Sequence, residues 1–254
     1  MAEVIKVVGK NVYVQVFEST RGLKVGAEAE FTGHMLEVTL GPGMLSKNYD
    51  GLQNDLDKME GVFLKRGQYT YPLDKERKWH FKPIVKVGDE VGPSAWLGEV
   101  EENHQPLKIM VPFQLTGTYK VKSVVPEGDY TIEDTVVVLS DKGGEDIKVN
   151  MIQKWPVKKA MTNYVEKPRP YKLLETGVRV IDTMNPIVEG GTGFIPGPFG
   201  TGKTVLQHAI SKQAEADIVI IAACGERANE VVEIFTEFPE LVDPHTGRKL
   251  MERT

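Results

Sequence analysis

The stretch Gly197-Pro198-Phe199-Gly200-Thr201-Gly202-Lys203-Thr204 decides the fold of the last third of the chain. It fits the pattern GxxxxGK[ST], in which glycines allow consecutive backbone N–H groups to converge on phosphate oxygens. An apolar strand candidate, residues 193–196, precedes it, and a helical pattern, residues 204–216, follows it, so the positive end of a helix dipole faces the same anion. The stretch therefore predicts a nucleotide-binding phosphate loop, and the alternative is a coincidental Gly-rich turn.

The side chains of this loop have separate predicted roles. Lys203 places a full positive charge near the β- and γ-phosphates, and the Thr204 hydroxyl can ligate Mg²⁺. The predicted cofactors are therefore ATP or ADP with Mg²⁺. The residues predicted to bind them are Gly197, Pro198, Phe199, Gly200, Thr201, Gly202, Lys203, Thr204 and Val205.

A second βα unit follows the loop. Residues 217–224 form a continuous apolar run that predicts a strand buried on both faces of a parallel sheet, and residues 226–235 read as a helix. The order strand, loop, helix, strand, helix is typical of βαβ architecture. Cys224, at the end of the apolar run, is predicted to be a small core residue and not a nucleophile.

Two charged residues directly after this strand are candidates for catalysis. A carboxylate at Glu226 can reach a γ-phosphate bound at the same sheet edge and orient, or take a proton from, an attacking water. Arg227 can orient Glu226 or contact the phosphate. The alternative for Glu226 is that it caps the following helix, since acidic residues favour a first helical turn.

The first two thirds of the chain read as β structure. Residues 4–8 and 12–16 alternate across a Gly/Asn turn, which predicts a hairpin, and residues 36–40 form another strand candidate. Short Val/Ile runs between residues 57 and 165 suggest an all-β module of the biotinyl/lipoyl barrel-sandwich type, without a convincing carrier lysine. Its predicted strands are residues 85–91, 109–113, 116–125, 135–139 and 147–151. Residues 154–172 are basic and Pro-rich, which favours a solvated linker over a surface for an acidic partner.

Composition sets limits on the function. The chain has 254 residues with 31 basic and 36 acidic side chains, a net charge of −5 that argues against a nucleic-acid binder. One cysteine cannot form an internal disulfide, which favours a reducing compartment. No apolar stretch approaches the ~20 residues needed to span a bilayer, and no secretory signal is recognisable. The five histidines lack ligand spacing, so a metal site built from them is not predicted.

Several phrases taken together make the chain resemble the catalytic A subunit of V-type/A-type ATPases, the rotary, ion-translocating ATPases. The resemblance covers essentially the whole chain, in order. The phrases are residues 31–33, 37–43, 153–157, 176–183, 190–192, 197–204, 224–230, 237–241 and 250–254.

The resemblance implies a fold class and a set of domains. It implies an α/β P-loop (RecA-like) nucleotide-binding domain, present in part, with an N-terminal β-barrel segment and an inserted all-β, barrel-sandwich-like domain. The implied domains are residues 1–32, end of the barrel; 33–56, start of the nucleotide domain; 57–165, the insertion; and 166–254, the P-loop part of the nucleotide domain.

The resemblance also implies roles and partners. Glu226 activates water, Arg227 helps to hold phosphate and carboxylate, Lys203 binds phosphate and Thr204 binds Mg²⁺. The parent activity is hydrolysis or synthesis of ATP coupled to H⁺ or Na⁺ movement. The partners are B subunits, which alternate with A subunits in a hexamer and supply an arginine finger in trans, and the central and peripheral stalk subunits. No nucleic acid is expected, the location is the cytoplasmic face of a membrane, and contact with the membrane is indirect, through the ion-translocating sector.

Departures from the family pattern are also visible. Thr201 stands where the family more often has Ala or Ser, and Ala228 stands where it usually has Gly; neither change removes a functional group. By comparison with the family, the chain is expected to be truncated at both ends. By itself it is expected to be nearly inactive, because the resemblance places an arginine finger on the neighbouring B subunit. The alternatives are another RecA-like hexameric ATPase of the type III export kind or, for this piece alone, a non-catalytic nucleotide- or partner-binding module.

Overall fold

The computed structural model describes residues 1–59, 67–162, 164, 166–198 and 200–254, and it divides into two compact units. The first unit comprises Met1–Glu102 and Pro106–Asn163, and the second comprises Asn103–Gln105 and Tyr164–Thr254. The strands are β1 (Ala2–Val8), β2 (Asn11–Val16), β3 (Glu37–Leu40), β4 (Lys78–Pro83), β5 (Glu90–Val91), β6 (Trp96–Glu102), β7 (Gln105–Met110), β8 (Tyr119–Val124), β9 (Gly128–Thr131), β10 (Val137–Ser140), β11 (Asp146–Val149), β12 (Gln153–Pro156), β13 (Leu173–Leu174) and β14 (Ile187–Val188). The α-helices are α1 (Arg179–Met184), α2 (Lys203–Gln213) and α3 (Ala228–Glu237), with 3₁₀ turns at Leu56–Lys58 and Leu250–Arg253.

The predicted N-terminal hairpin is confirmed. Strands β1 and β2 pair antiparallel around Gly9, which has a φ of +59°, and a bulge between Val4 and Lys6 shifts the register. Val4 pairs with Val14, and their side chains are exposed. The hairpin thus presents apolar side chains to solvent.

Two four-stranded sheets make up most of the first unit. Their strand orders are β11-β10-β8-β5 and β7-β6-β4-β9. The pairs β10–β11, β8–β10, β5–β8, β4–β6 and β4–β9 are antiparallel. The sheets share one core, because side chains from both belong to a single buried cluster. Its largest fully buried members are Phe81, Leu73, Leu97, Ile132 and Leu139. Two β-sheets over one apolar core form the expected sandwich.

The sequence patterns located some of these strands and missed others. β5, β7, β8, β10 and β11 overlap the predicted segments, although β5 has only two residues. Three strands of these two sheets were not predicted: β4, β6 and β9. In β6, Gly98 interrupts the apolar pattern because it faces the ring of Phe81: a Cβ there would lie 2.3 Å from two ring carbons. Glycine thus serves close packing here instead of marking a turn.

Strand β12 corrects the first part of the predicted linker: residues 154–156 are in a strand, whereas the described residues between 157 and 172 are in neither a helix nor a strand. β12 pairs antiparallel with β3, Lys154 opposite Thr39 and Trp155 opposite Val38. The Trp155 ring is 9% exposed, and its Nε1 donates to the carbonyl oxygen of Lys159 at 2.8 Å. Propensity could not reveal this pairing, since β3 and β12 are far apart in the sequence.

In the second unit, α2 and α3 overlap the two predicted helices, α1 was not predicted, and two expected strands are not found. Residues 193–196 and 217–224 are described and are not in strand conformation. In the apolar run 217–224, Val219 N donates a backbone hydrogen bond to Arg253 O at 2.8 Å. A strand needs a repeated ladder with a neighbour, and Ile220 is 88% exposed here. Cys224 is also exposed, so its prediction as a core residue was wrong, because the run that carries it is not covered on both faces.

The end of the chain packs against the end of α2 through a buried ion pair. Arg253 and Asp243 are 6% and 2% exposed, and Arg253 Nε lies 3.2 Å from Asp243 Oδ2. The Arg253 guanidinium also donates to the carbonyl oxygens of Ala214 and Ala216. Since the carbonyl end of a helix carries partial negative charge, this cation stabilises the C-terminus of α2. All helices in the described ranges are too short or too polar to cross a bilayer.

Candidate functional site

The predicted phosphate loop lies directly before α2. Gly202 precedes the helix with a φ of +83°, and Gly200 has a φ of +80°. Both are left-handed conformations that glycine adopts without strain, which explains these two glycines of the motif. Phe199, one of the predicted binding residues, lies outside the described residues.

Side chains of the loop satisfy its own carbonyl groups. Lys203 Nζ donates to Gly197 O at 2.6 Å and to Pro198 O at 2.9 Å. Thr201 Oγ1 donates to the same Pro198 oxygen at 2.7 Å. A Cβ on Gly197 would lie 2.6 Å from Thr201 Oγ1, so the hydroxyl occupies space that only glycine at this position leaves open. The Lys203 ammonium thus binds carbonyl groups of its own loop.

Helices α2 and α3 pack against each other. Three side chains of α2, spaced one helical turn apart, make the contacts that follow. Thr204 Oγ1 donates to Glu230 Oε2 at 3.1 Å. The His208 ring, 8% exposed, meets Phe238 edge-on with centroids 6.1 Å apart. The third contact joins Lys212 Nζ to Glu237 Oε2 at 2.8 Å, and this ammonium lowers the pKa of Glu237. The first contact joins the starts of the two helices, and the other two lie at the C-terminal end of α3.

The same unit contains a cavity of about 830 Å³ that brings predicted residues together. Thr204 and Glu226 both line it, and Glu230 lines it with them. Apolar side chains form much of the remaining wall, including Ile187, Phe194, Ile210, Ile221 and Val231. The Thr204 hydroxyl and the carboxylates of Glu226 and Glu230 therefore line one cavity beside the phosphate loop, together with apolar side chains and with other polar ones such as Asn185 and Ser211.

Glu226 does not cap α3. The helix begins at Ala228, its N-cap residue is Arg227, and no side chain caps it. Glu226 instead lines the cavity. Arg227 and Val205, the latter 71% exposed, lie at the surface. Thus Thr204 and Glu226 share the cavity, whereas Lys203 donates to the loop.

Glu230 was missed by the sequence reasoning. Its carboxylate accepts from the very hydroxyl predicted to ligate Mg²⁺. The available signal was that Glu230 follows Glu226 by four residues within the predicted helix 226–235, a spacing that places two residues on one helix face.

The donor set around Thr204 fits a hard divalent cation. Hydroxyl and carboxylate oxygens are the ligands Mg²⁺ takes in proteins, usually few in number beside bound phosphates and water. Within the ranges described, no group of three or more His, Cys, Asp or Glu side chains is placed to hold a metal ion by itself. The residues present fit a metal that binds together with a phosphate ligand.

A second network supports the site from the other end of α2. Asp182 in α1 accepts from Thr176 N at 3.0 Å, Thr176 Oγ1 at 2.7 Å and Gly177 N at 3.1 Å. These hydrogen bonds, led by the one from the Thr176 hydroxyl, lower the pKa of Asp182. A Cβ on Gly177 would lie 2.7 Å from Gln213 Oε1, so the turn that Asp182 orders lies against the last residue of α2.

Three family models match the chain in order. The "ATP synthase alpha/beta family, beta-barrel domain" matches residues 1–33, the "ATPsynthase alpha/beta subunit barrel-sandwich domain" matches residues 70–158, and the "ATP synthase alpha/beta family, nucleotide-binding domain" matches residues 177–254. These matches confirm the predicted fold class.

Curated relatives match the chain along its full length. V-type ATP synthase alpha chains of Treponema denticola, Borrelia hermsii and Protochlamydia amoebophila are 54%, 52% and 48% identical to it. Each alignment covers 100% of this chain and 44%, 44% and 43% of the relative, respectively, so the chain spans less than half the length of these relatives. The chain belongs to the ATP synthase alpha/beta family and is similar from end to end to V-type alpha chains.

Proposed function

We propose that this chain carries the phosphate-binding part of the catalytic subunit of a V-type rotary ATPase, and that the site beside α2 binds ATP or ADP with Mg²⁺. The observation that carries the proposal is the loop 197–204 at the start of α2, next to a cavity that Thr204 and Glu226 both line. Phosphate is the ligand that glycine-rich backbone, a lysine and a helix N-terminus recognise together.

The residues of the proposed site have separate roles in phosphoryl transfer. Lys203 exchanges its loop carbonyls for the β- and γ-phosphates, and its charge offsets theirs. Glu226 orients the attacking water and accepts its proton. Thr204, with Glu230 beside it, would hold Mg²⁺, which supplies charge neutralisation at the phosphate oxygens when bound. Arg227 steadies Glu226 or the phosphate.

The proposed assembly follows from the family. B subunits of the same ATPase alternate with the catalytic subunits and contribute an arginine at the shared site, and stalk subunits link the site to ion movement, of H⁺ or Na⁺. The protein works at the cytoplasmic face of a membrane. Since a trans arginine contributes roughly 10³–10⁵ in rate in other phosphoryl-transfer enzymes, this chain alone turns over ATP very slowly.

The test separates catalysis from binding. In the assembled ATPase, phosphate release is measured for the natural protein and for Glu226→Gln, with MgADP affinity measured in parallel. We expect a loss of about 10²–10⁴ in turnover, the range of a general base, with affinity changed less than about twofold. Turnover unchanged in Glu226→Gln would contradict the proposed role, and loss of both properties would assign Glu226 to binding instead.

A further inference from the structure

Thr201 shares an acceptor with the lysine of the phosphate loop. The Pro198 carbonyl oxygen receives hydrogen bonds from Thr201 Oγ1 at 2.7 Å and from Lys203 Nζ at 2.9 Å. Lys203 Nζ also holds Gly197 O at 2.6 Å. The two donors have different roles when a nucleoside phosphate binds. The Lys203 ammonium must leave the carbonyl to contact the phosphate, whereas the Thr201 hydroxyl can keep its hydrogen bond to Pro198 O.

When Lys203 leaves the loop carbonyls, their hydrogen bonds to its ammonium are lost, and Thr201 reduces this loss. These hydrogen bonds are exposed, so water can replace a lost donor, and each one makes a modest net contribution to the loop. Pro198 keeps the Thr201 hydroxyl as a donor after Lys203 leaves, so only Gly197 must find a new one. The Thr201 hydroxyl thus links residue 201 directly to the backbone of Pro198.

The packing of Thr201 supports a positioning role independently. Its Oγ1 lies 2.6 Å from where a Cβ on Gly197 would be, so it is seated against the first glycine of the loop. Such a contact restricts both the hydroxyl and the Gly197 backbone. The first and fifth residues of the loop are therefore held together by the Thr201 side chain.

We propose that Thr201 is a positioning residue that keeps the loop in its binding shape while Lys203 exchanges from the Gly197 and Pro198 carbonyls to a nucleoside phosphate. The proposal rests on the proposed nucleotide site. It assigns to Thr201 a role that acts through Lys203 and the loop backbone, without contact to the reacting atoms.

The experiment compares three substitutions in the full chain by equilibrium titration with MgADP. Thr201→Val removes the hydroxyl at nearly constant shape, and Thr201→Ser keeps the hydroxyl. Thr236→Val is the matched control, because the exposed Thr236 Oγ1 likewise donates to a backbone carbonyl, that of Val232 at 3.0 Å, on α3. Melting temperatures are recorded for each variant.

We expect Thr201→Val to weaken MgADP binding about five- to tenfold, the effect of one net hydrogen bond, at an unchanged melting temperature. Thr201→Ser and Thr236→Val should stay within about twofold of the natural chain. Equal affinity in Thr201→Val and the natural chain, or an equal loss in Thr201→Ser, would overturn the role of Thr201 alone. Absence of MgADP binding to the natural chain would overturn this proposal together with the nucleotide site.

Discussion

Gly98 illustrates how a single residue controls the packing of the first unit. It lies in β6 next to Phe81, which is fully buried, and a Cβ at this position would also lie 2.8 Å from Lys82 O. Neither a buried ring nor a backbone carbonyl can move aside easily in a close-packed core. The lack of a side chain at position 98 therefore permits Phe81 to fill the sandwich core.

We predict that Gly98→Ala destabilises the protein by about 1–3 kcal/mol through overpacking. Urea unfolding measures the change. Gly51→Ala is the matched control, because a Cβ at Gly51 meets nothing within 4 Å. A Gly98→Ala variant as stable as Gly51→Ala would show that the core accommodates the methyl group.

His80 is a second residue whose surroundings make a measurable prediction. Its Nδ1 lies 2.9 Å from Asp129 Oδ1 and its Nε2 lies 3.2 Å from Glu127 Oε1. The carboxylates of Asp129, first, and Glu127 raise the pKa of His80. Because the folded value is the higher one, the stabilisation is fully present below the unfolded pKa of about 6.5 and is lost as pH rises through the folded pKa.

We expect the imidazole titration of His80, followed by NMR, to have a midpoint above about 6.5. Asp129→Asn should move this midpoint down, because it removes the first of the two carboxylates. A midpoint at or below about 6.5 in the natural protein, or no change in Asp129→Asn, would contradict the geometry around His80.

At the scale of elements, α2 depends on contacts at both of its ends. The loop and Lys203 determine its start, and the buried Arg253–Asp243 pair determines its end. Although burial of Asp243 opposes its ionisation, donors from His245 N and Thr246 Oγ1 and the charge of Arg253 lower its pKa. A lowered folded pKa contributes stability above the unfolded value of about 3.9, and this stability is lost as pH falls.

We predict that Arg253→Met destabilises the second unit by about 3–5 kcal/mol, because it leaves the Asp243 carboxylate buried without its partner. The double variant Arg253→Met with Asp243→Leu should recover part of this loss, since no unpaired charge remains. Urea unfolding followed by helical circular dichroism measures both. A double variant less stable than Arg253→Met would mean that Asp243 stabilises the fold independently of Arg253.

The elements also show what sequence patterns can predict. Motif and periodicity located the phosphate loop, α2 and α3, because local spacing determines those features. They failed for residues 217–224. An apolar run there predicts a strand, but a strand also needs backbone hydrogen bonds to an adjacent strand, which the run alone does not predict. They could not foresee the Thr204–Glu230 hydrogen bond or the placing of Lys203 on loop carbonyls, because side-chain partners depend on how helices pack.

At the scale of the whole molecule, the chain has three matched domains of one family in less than half the length of its curated relatives. The buried apolar cluster lies in the first unit, and the phosphate loop lies in the second unit. Both units expose apolar side chains, such as Val7 and Leu23 in the first and Phe194 and Ile220 in the second.

Titration calorimetry of the chain with MgADP tests the central claim, that loop 197–204 binds nucleoside phosphates. We predict saturable binding that Lys203→Ala weakens about 10- to 100-fold, the effect of a charge-assisted hydrogen bond. Lys142→Ala, which removes an exposed lysine from the β10–β11 turn, is the control and should leave the affinity unchanged. No saturable binding by the natural chain, or equal affinity in Lys203→Ala, would contradict the claim.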